Sequence, residues 1–103
     1  MTTHLADIVA EALPAPDGDL VGLWWIAKLV EERVGNGEAA QIQTLEIVEV
    51  LLAKGVRAGS SPYDPEGWQP WPDQASAVLD RIRDEWQARG HAPNIHDSPW
   101  FGW

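Results

Sequence analysis

The stretch from residue 41 to residue 71 constrains the fold most, because its pattern changes from helical to extended within a few positions. Residues 41–54 carry an apolar stripe at helical spacing that is predicted to face the core: Ile42, Leu45, Val48 and Leu52. Gly55 favours a helix stop, and residues 56–59 alternate small apolar and polar side chains, as a short strand does. Four prolines between positions 60 and 72 exclude another helix there.

The strand at 56–59 has one candidate partner nearby, the extended segment at 67–71. The sequence predicts that the two pair as a small β-ribbon around a long turn. Pro70 lacks a backbone N–H and permits this pairing only at a sheet edge. The order helix, glycine, strand, loop and second strand resembles the central unit of a winged-helix domain.

Three more helices are predicted around this unit. The first is indicated by apolar residues at helical spacing before a proline pair: Leu5, Ile8, Val9 and Ala12. The second spans residues 20–34, with Asp19 as its N-cap, and its apolar breadth indicates burial on several sides. The fourth begins after Asp73 as N-cap and ends at Gly90. The prediction is one domain over residues 1–103, mostly α with a small β-ribbon (α+β), with four helices and a winged-helix-like centre.

Nucleic acid is disfavoured as a partner, despite the winged-helix resemblance. A DNA-reading helix offers basic and amide side chains to bases and phosphates. The corresponding helix here offers amides, a hydroxyl and carboxylates: Gln41, Gln43, Thr44, Glu46 and Glu49. The formal net charge of −9 repels phosphate and attracts a basic protein.

Composition also limits which cellular compartment and what size of hydrophobic core are expected. The chain has no cysteine, which excludes disulfides and thiolate metal sites. It lacks a signal-peptide pattern and any apolar run near the roughly 20 residues that cross a bilayer, so a cytoplasmic location without a membrane partner is expected. Seven tryptophans supply bulk to an otherwise modest core. The oligomeric state is left open.

The C-terminal segment, residues 91–103, carries three large aromatic residues, and a solvated tail has no need of them. We expect this tail to pack on the body of the domain, with at least Trp100 docked. Aromatic and acidic residues of the loop and tail form the predicted partner-binding set: Tyr63, Asp64, Glu66, Trp68, Trp71, Asp97 and Trp103. The alternative is that these rings cap an undersized core from outside.

Catalytic and metal-binding patterns are weak in this sequence. It has no glycine-rich phosphate loop, no Gly-x-Ser-x-Gly elbow and no His-Glu-x-x-His pair. His91, His96 and Asp97 form the one candidate cluster, and turn capping explains Asp97 equally well. We therefore expect no catalytic residue, no metal and no cofactor.

Several patterns together resemble a group of small bacterial proteins that is itself similar to toxin-immunity proteins. They cover residues 19–59, the Trp68-x-x-Trp71 spacing, and later patterns that include Arg81-Ile82-x-x-Glu85-Trp86 and Trp100-Phe101. The resemblance implies an immunity or inhibitor protein that neutralises a basic toxin domain by direct binding, and it transfers no catalytic residue. The alternatives are a winged-helix-like regulatory or adaptor domain that binds another protein, and a small ligand-binding or enzymatic domain using the tryptophan-lined loop.

Overall fold

The computed structural model describes residues 2–35 and 37–103, with side chains from residue 6 onward, so the predicted contribution of Leu5 lies outside the described side chains. The elements follow in this order: α1 (Thr2–Ala12), β1 (Val21–Gly22), α2 (Leu23–Val34), α3 (Glu38–Ala53), β2 (Arg57–Gly59), α4 (Ala75–Arg89) and β3 (Trp100–Gly102). The predicted four-helix α+β fold is confirmed. In the part of the chain described, no helix has the length and apolar content needed to cross a membrane.

Helix α3 is the centre of the helical layer and contacts α1, α2 and α4. Its side chains and those of α2 supply much of the core, with Ile26, Ile47 and Leu51 fully buried. Each fully buried aliphatic side chain of this size contributes roughly 1.5–3 kcal/mol to folding. Helix α4 adds the narrow apolar stripe expected from its sequence and ends, as predicted, at Gly90.

The buried face of α3 differs from the predicted stripe. It comprises small and branched residues: Ala40, Thr44, Ile47, Val48 and Leu51. Ile42, predicted to point inward, is 54% exposed. Apolar residues cover most of this helix, so its sequence alone does not fix which face turns inward. Burial of Thr44 costs little because its hydroxyl donates to the Ala40 carbonyl at 2.7 Å.

Both predicted acidic N-caps are wrong. Residues 21–22 form β1, so α2 begins at Leu23, after Gly22 and well past Asp19. The Leu23 N–H donates to the Pro99 carbonyl at 3.0 Å, so a distant backbone group satisfies a donor at this helix end. Similarly, α4 is preceded by Gln74 in the N-cap position rather than by Asp73, and no side chain caps it.

The sheet is antiparallel with strand order β1-β3-β2, so its central strand comes from the C-terminal segment. Phe101 stands opposite Val21 on one side and Ala58 on the other, and its side chain is fully buried. The predicted ribbon partner, residues 67–71, pairs with the outer side of β2 through a bridge between Gly59 and Pro70. Two backbone bonds flank it: the Ser60 N–H donates to the Gln69 carbonyl at 2.9 Å, and the Trp71 N–H donates to the Ala58 carbonyl at 2.8 Å. Pro70 lies between these two bonds, where the residue of an antiparallel pair directs its nitrogen away from the partner strand, so its missing N–H is compatible with the pairing. The central strand β3 adds the large apolar side chain of Phe101 to the core.

Candidate functional site

Trp68 covers the face of the sheet that points away from the helices. Two glycines make room for its ring: a Cβ on Gly59 would stand 2.7 Å from the indole nitrogen, and one on Gly102 would stand 3.4 Å from Cη2. The indole N–H donates to the Trp100 carbonyl at 2.9 Å. Trp68 therefore fastens the chain before α4 to the central strand, and its nitrogen is already occupied.

Tyr63 lies on the same aromatic layer but reaches solvent. It belongs to residues 60–69, which we call the tyrosine loop. Its ring meets Trp100 edge-on at a centroid distance of 5.9 Å and His96 at 4.8 Å. Trp100 is only 8% exposed, whereas Tyr63 is 56% exposed. Two rings thus hold the tyrosine in place while much of its surface stays free for contact.

Hydrogen bonds brace the tyrosine loop from within. The Ser60 hydroxyl accepts from the Gln69 N–H at 2.9 Å and donates to the Gly67 carbonyl at 3.1 Å. The buried Ser61 hydroxyl oxygen accepts from the Tyr63 N–H at 3.1 Å. These bonds define the loop shape without regular secondary structure.

Two carboxylates stand at the exposed turn of the tyrosine loop. The Gly67 N–H donates to the Asp64 carbonyl at 2.8 Å, which closes the turn that carries Asp64 and Glu66. Both side chains are exposed, and no ion pair among the described residues includes either of them. Their charges are therefore available to an incoming cation.

Trp71 and Trp103, also in the predicted partner-binding set, lie elsewhere. The Arg81 guanidinium stands 3.7 Å from the centroid of the Trp71 ring, so one face of that ring is occupied from within the chain. Trp103 follows the C-terminal end of β3, whereas Tyr63 contacts Trp100 at the N-terminal end of this strand. The indole N–H of Trp103 donates to the Pro14 carbonyl at 2.6 Å. It is 47% exposed but is not part of the tyrosine loop.

The Asp97 carboxylate is partly occupied by contacts with nearby residues of the same segment and of α4. It accepts from the Asn94 N–H at 2.7 Å and lies 3.8 Å from the Arg89 guanidinium. His91 is directed to a neighbouring backbone carbonyl, and His96 packs on the tyrosine ring. Among the described side chains, those of residues 6–35 and 37–103, no group of three histidine or carboxylate side chains is arranged to hold a metal ion.

A tryptophan-lined hollow does exist, but it lies beside β1. It measures about 270 Å3 and includes Trp24, Trp25 and Trp100 in its lining. The ligand-binding alternative concerns the tryptophan-lined loop, and no residue of 60–69 lines this hollow. The sequence signal for the packing here is the Gly22-Leu-Trp spacing, because a Cβ on Gly22 would stand 2.5 Å from the Trp24 ring.

Comparisons of the chain with protein-family models, with curated proteins and with solved structures gave no match.

Proposed function

We propose that this protein is a protein-binding module that recognises a basic protein through the tyrosine loop. One observation carries the proposal: an exposed tyrosine ring is held on a buried tryptophan beside two carboxylates that have no ion-pair partner. In its most specific form, the module is a cytoplasmic immunity or inhibitor protein that blocks a basic toxin domain. Occlusion of the toxin surface suffices for this role, and no catalytic step is needed.

The loop has the physical properties of a binding anchor. Tyrosine is enriched among the residues that dominate binding energy, because it combines a large apolar area with a polar tip. The rings of Trp100 and His96 already restrict Tyr63, and the Ser60 and Ser61 hydroxyls already order the backbone. Less conformational entropy is therefore lost on binding than for a mobile loop.

Charge supports a basic partner in particular. The chain carries a formal net charge of −9, which raises the encounter rate with a cationic surface and slows the approach of acidic competitors. Asp64 and Glu66 add a local attraction next to the anchor. Association should therefore slow as salt rises, while an apolar contact of Tyr63 should respond little.

The first experiment identifies the partner from the position of Tyr63. A photo-crosslinking amino acid replaces Tyr63 in the native cell, and the same amino acid at the exposed Ala39 of α3 serves as a control. We expect the loop position alone to capture one basic protein in high yield. Capture of acidic proteins only, or equal capture from both positions, would refute recognition through this loop.

Matched charge variants then test the captured partner. Asp64→Lys with Glu66→Lys should weaken binding more than about tenfold. Asp17→Lys with Asp73→Lys changes net charge equally at exposed positions that also lack an ion pair in the described chain, and it should mainly slow association. Tyr63→Phe keeps the ring and should bind nearly as well as the wild type, whereas Tyr63→Ala should not. Equal losses in the two charge pairs would mean that only net charge matters.

The immunity role has its own test. A basic toxin domain encoded beside this gene should kill a host cell when expressed alone, and co-expression of the wild-type protein should restore growth. Tyr63→Ala should restore growth less well than Tyr63→Phe. A gene neighbourhood without any toxin domain would refute the immunity role. The broader proposal of a protein-binding module would then be tested by the crosslinking experiment alone.

A further inference from the structure

A second surface, separate from the tyrosine loop, combines exposed apolar side chains with uncompensated charge. It is a groove of about 370 Å3 between α3 and α4. Ile42 is 54% exposed there, and Leu45 and Leu79 are partly buried beside it. None of the groove residues belongs to residues 60–69, so this surface can be tested independently of the proposed function.

The rim of the groove is negative. Glu46 and Glu49 line it from α3, and neither takes part in an ion pair within the described residues. Arg83 lines it from α4, but its guanidinium lies 3.0 Å from Asp80 and 3.6 Å from Asp84. The one cation of the groove is thus offset within its own helix, while both α3 carboxylates remain open to a partner.

We propose that this groove binds a basic amphipathic helix of a partner protein. Ile42, Leu45, Glu46 and Glu49 follow one another at i, i+3, i+4 and i+7, so a single row of α3 presents apolar contacts first and carboxylates next. A helix that lies along the groove meets this row with leucine-like side chains over Ile42 and Leu45. Its lysine or arginine side chains then reach Glu46 and Glu49.

A second copy of the chain fits this groove poorly. A symmetric contact through α3 would bring the same patch of two molecules together. Such an interface would gather Glu46 and Glu49 from both copies, while the one cation of the groove is already offset by Asp80 and Asp84, and accumulated like charge disfavours association. The charge of the rim therefore selects a basic helix over self-association.

The test uses a defined peptide as the probe. A fluorescein-labelled peptide of leucine and lysine, about 18 residues long, carries leucine at i, i+3, i+4 and i+7. Its controls are a scrambled peptide of identical composition and a glutamate-for-lysine version. Anisotropy should show the amphipathic peptide binding at least about fivefold more tightly than the scrambled one. Amide shifts should concentrate on residues 42–49 and 76–83, and shifts spread evenly over the acidic surface would overturn the proposal.

Matched variants distinguish the contribution of the apolar groove residues to peptide binding from that of the rim carboxylates. Ile42→Gln should weaken peptide binding about tenfold, while Val34→Gln, at a 41% exposed position of α2 outside the groove, should change it less than about twofold. Glu46→Gln with Glu49→Gln should weaken binding about fivefold at low salt, and Glu31→Gln with Glu32→Gln should not. Equal effects of the two glutamate pairs would overturn the proposal.

Two further measurements keep the surfaces and occupants apart. Tyr63→Ala should leave peptide binding unchanged, since the tyrosine loop does not line the groove. Loss of peptide binding in that variant would contradict a separate site. Sedimentation of the free wild-type protein should show a monomer, or a dimer that persists in Ile42→Gln. A wild-type dimer that Ile42→Gln abolishes would show that a second copy of the chain occupies the groove instead.

Discussion

Replacing Gly59 with alanine tests the packing that holds the tyrosine loop to the sheet. A Cβ at this position would stand 2.4 Å from the Gln69 carbonyl oxygen and 2.7 Å from the Trp68 indole nitrogen. The first contact is with backbone and cannot be relieved by a rotamer change. The added methyl group must therefore push residues 68–69 away from β2.

The expected cost follows from two terms. Overpacking of this kind costs about 1–3 kcal/mol. Displacement of the Trp68 ring also weakens its bond to the Trp100 carbonyl, which is worth roughly 0.5–1.5 kcal/mol. We expect a loss of about 2–4 kcal/mol in the free energy of unfolding, or a fall of roughly 1–3 M in the urea midpoint for an m-value near 1.5 kcal/mol/M.

Gly102→Ala is the matched control. Its nearest contact is the Leu20 Cδ2 methyl at 2.8 Å, the tip of a flexible side chain, so its cost should stay near 1 kcal/mol. Urea unfolding followed by far-UV circular dichroism measures both variants. Gly59→Ala should also cost less in a Trp68→Phe background, because the smaller ring leaves room for the methyl group. Equal midpoints for the two alanine variants would refute the described packing.

Three further predictions concern stability, measured by the same unfolding assay. Trp68→Phe removes the donor to the Trp100 carbonyl and should cost about 1–2 kcal/mol; no change would mean that the bond is absent in solution. Arg81→Ala removes the cation above Trp71 and should cost about 0.5–1 kcal/mol, with Arg81→Lys intermediate; equal losses for both would contradict the stacking. Thr44→Val keeps the buried volume and should change stability by less than about 1 kcal/mol, so a larger loss would show that the hydroxyl is structurally required.

Features set by local sequence could be predicted, and those set by distant partners could not. The stripe of Val78, Ile82 and Trp86 predicts α4, and Gly90 predicts its end, because helical periodicity and a glycine stop involve neighbours in the chain. The central position of β3 depends instead on pairing between segments that lie far apart in the chain. β3 joins β2 to β1 across about 40 and about 80 residues of chain, and the burial of Phe101 that accompanies this pairing is visible only in the assembled core.

The same distinction applies to the candidate site. Aromatic and acidic residues near a loop suggest a contact surface, but sequence does not show which rings are already occupied. Arg81 covers one face of Trp71, and Arg89 lies near the Asp97 carboxylate. No sequence motif predicts either contact. Asp64 and Glu66 remain free because the turn that carries them is closed by backbone bonds rather than by their side chains.

The sheet order has a consequence for how the protein is made. β1 and β2 are not neighbours, and each pairs with β3, which lies about 40 residues after β2 in the chain. At 5–20 residues per second, β2 therefore waits roughly 2–8 s, and β1 roughly 4–16 s, before their common partner is translated. Unpaired strand edges invite aggregation during that interval, so the arrival of β3 at the ribosome exit sets the time at which they are protected.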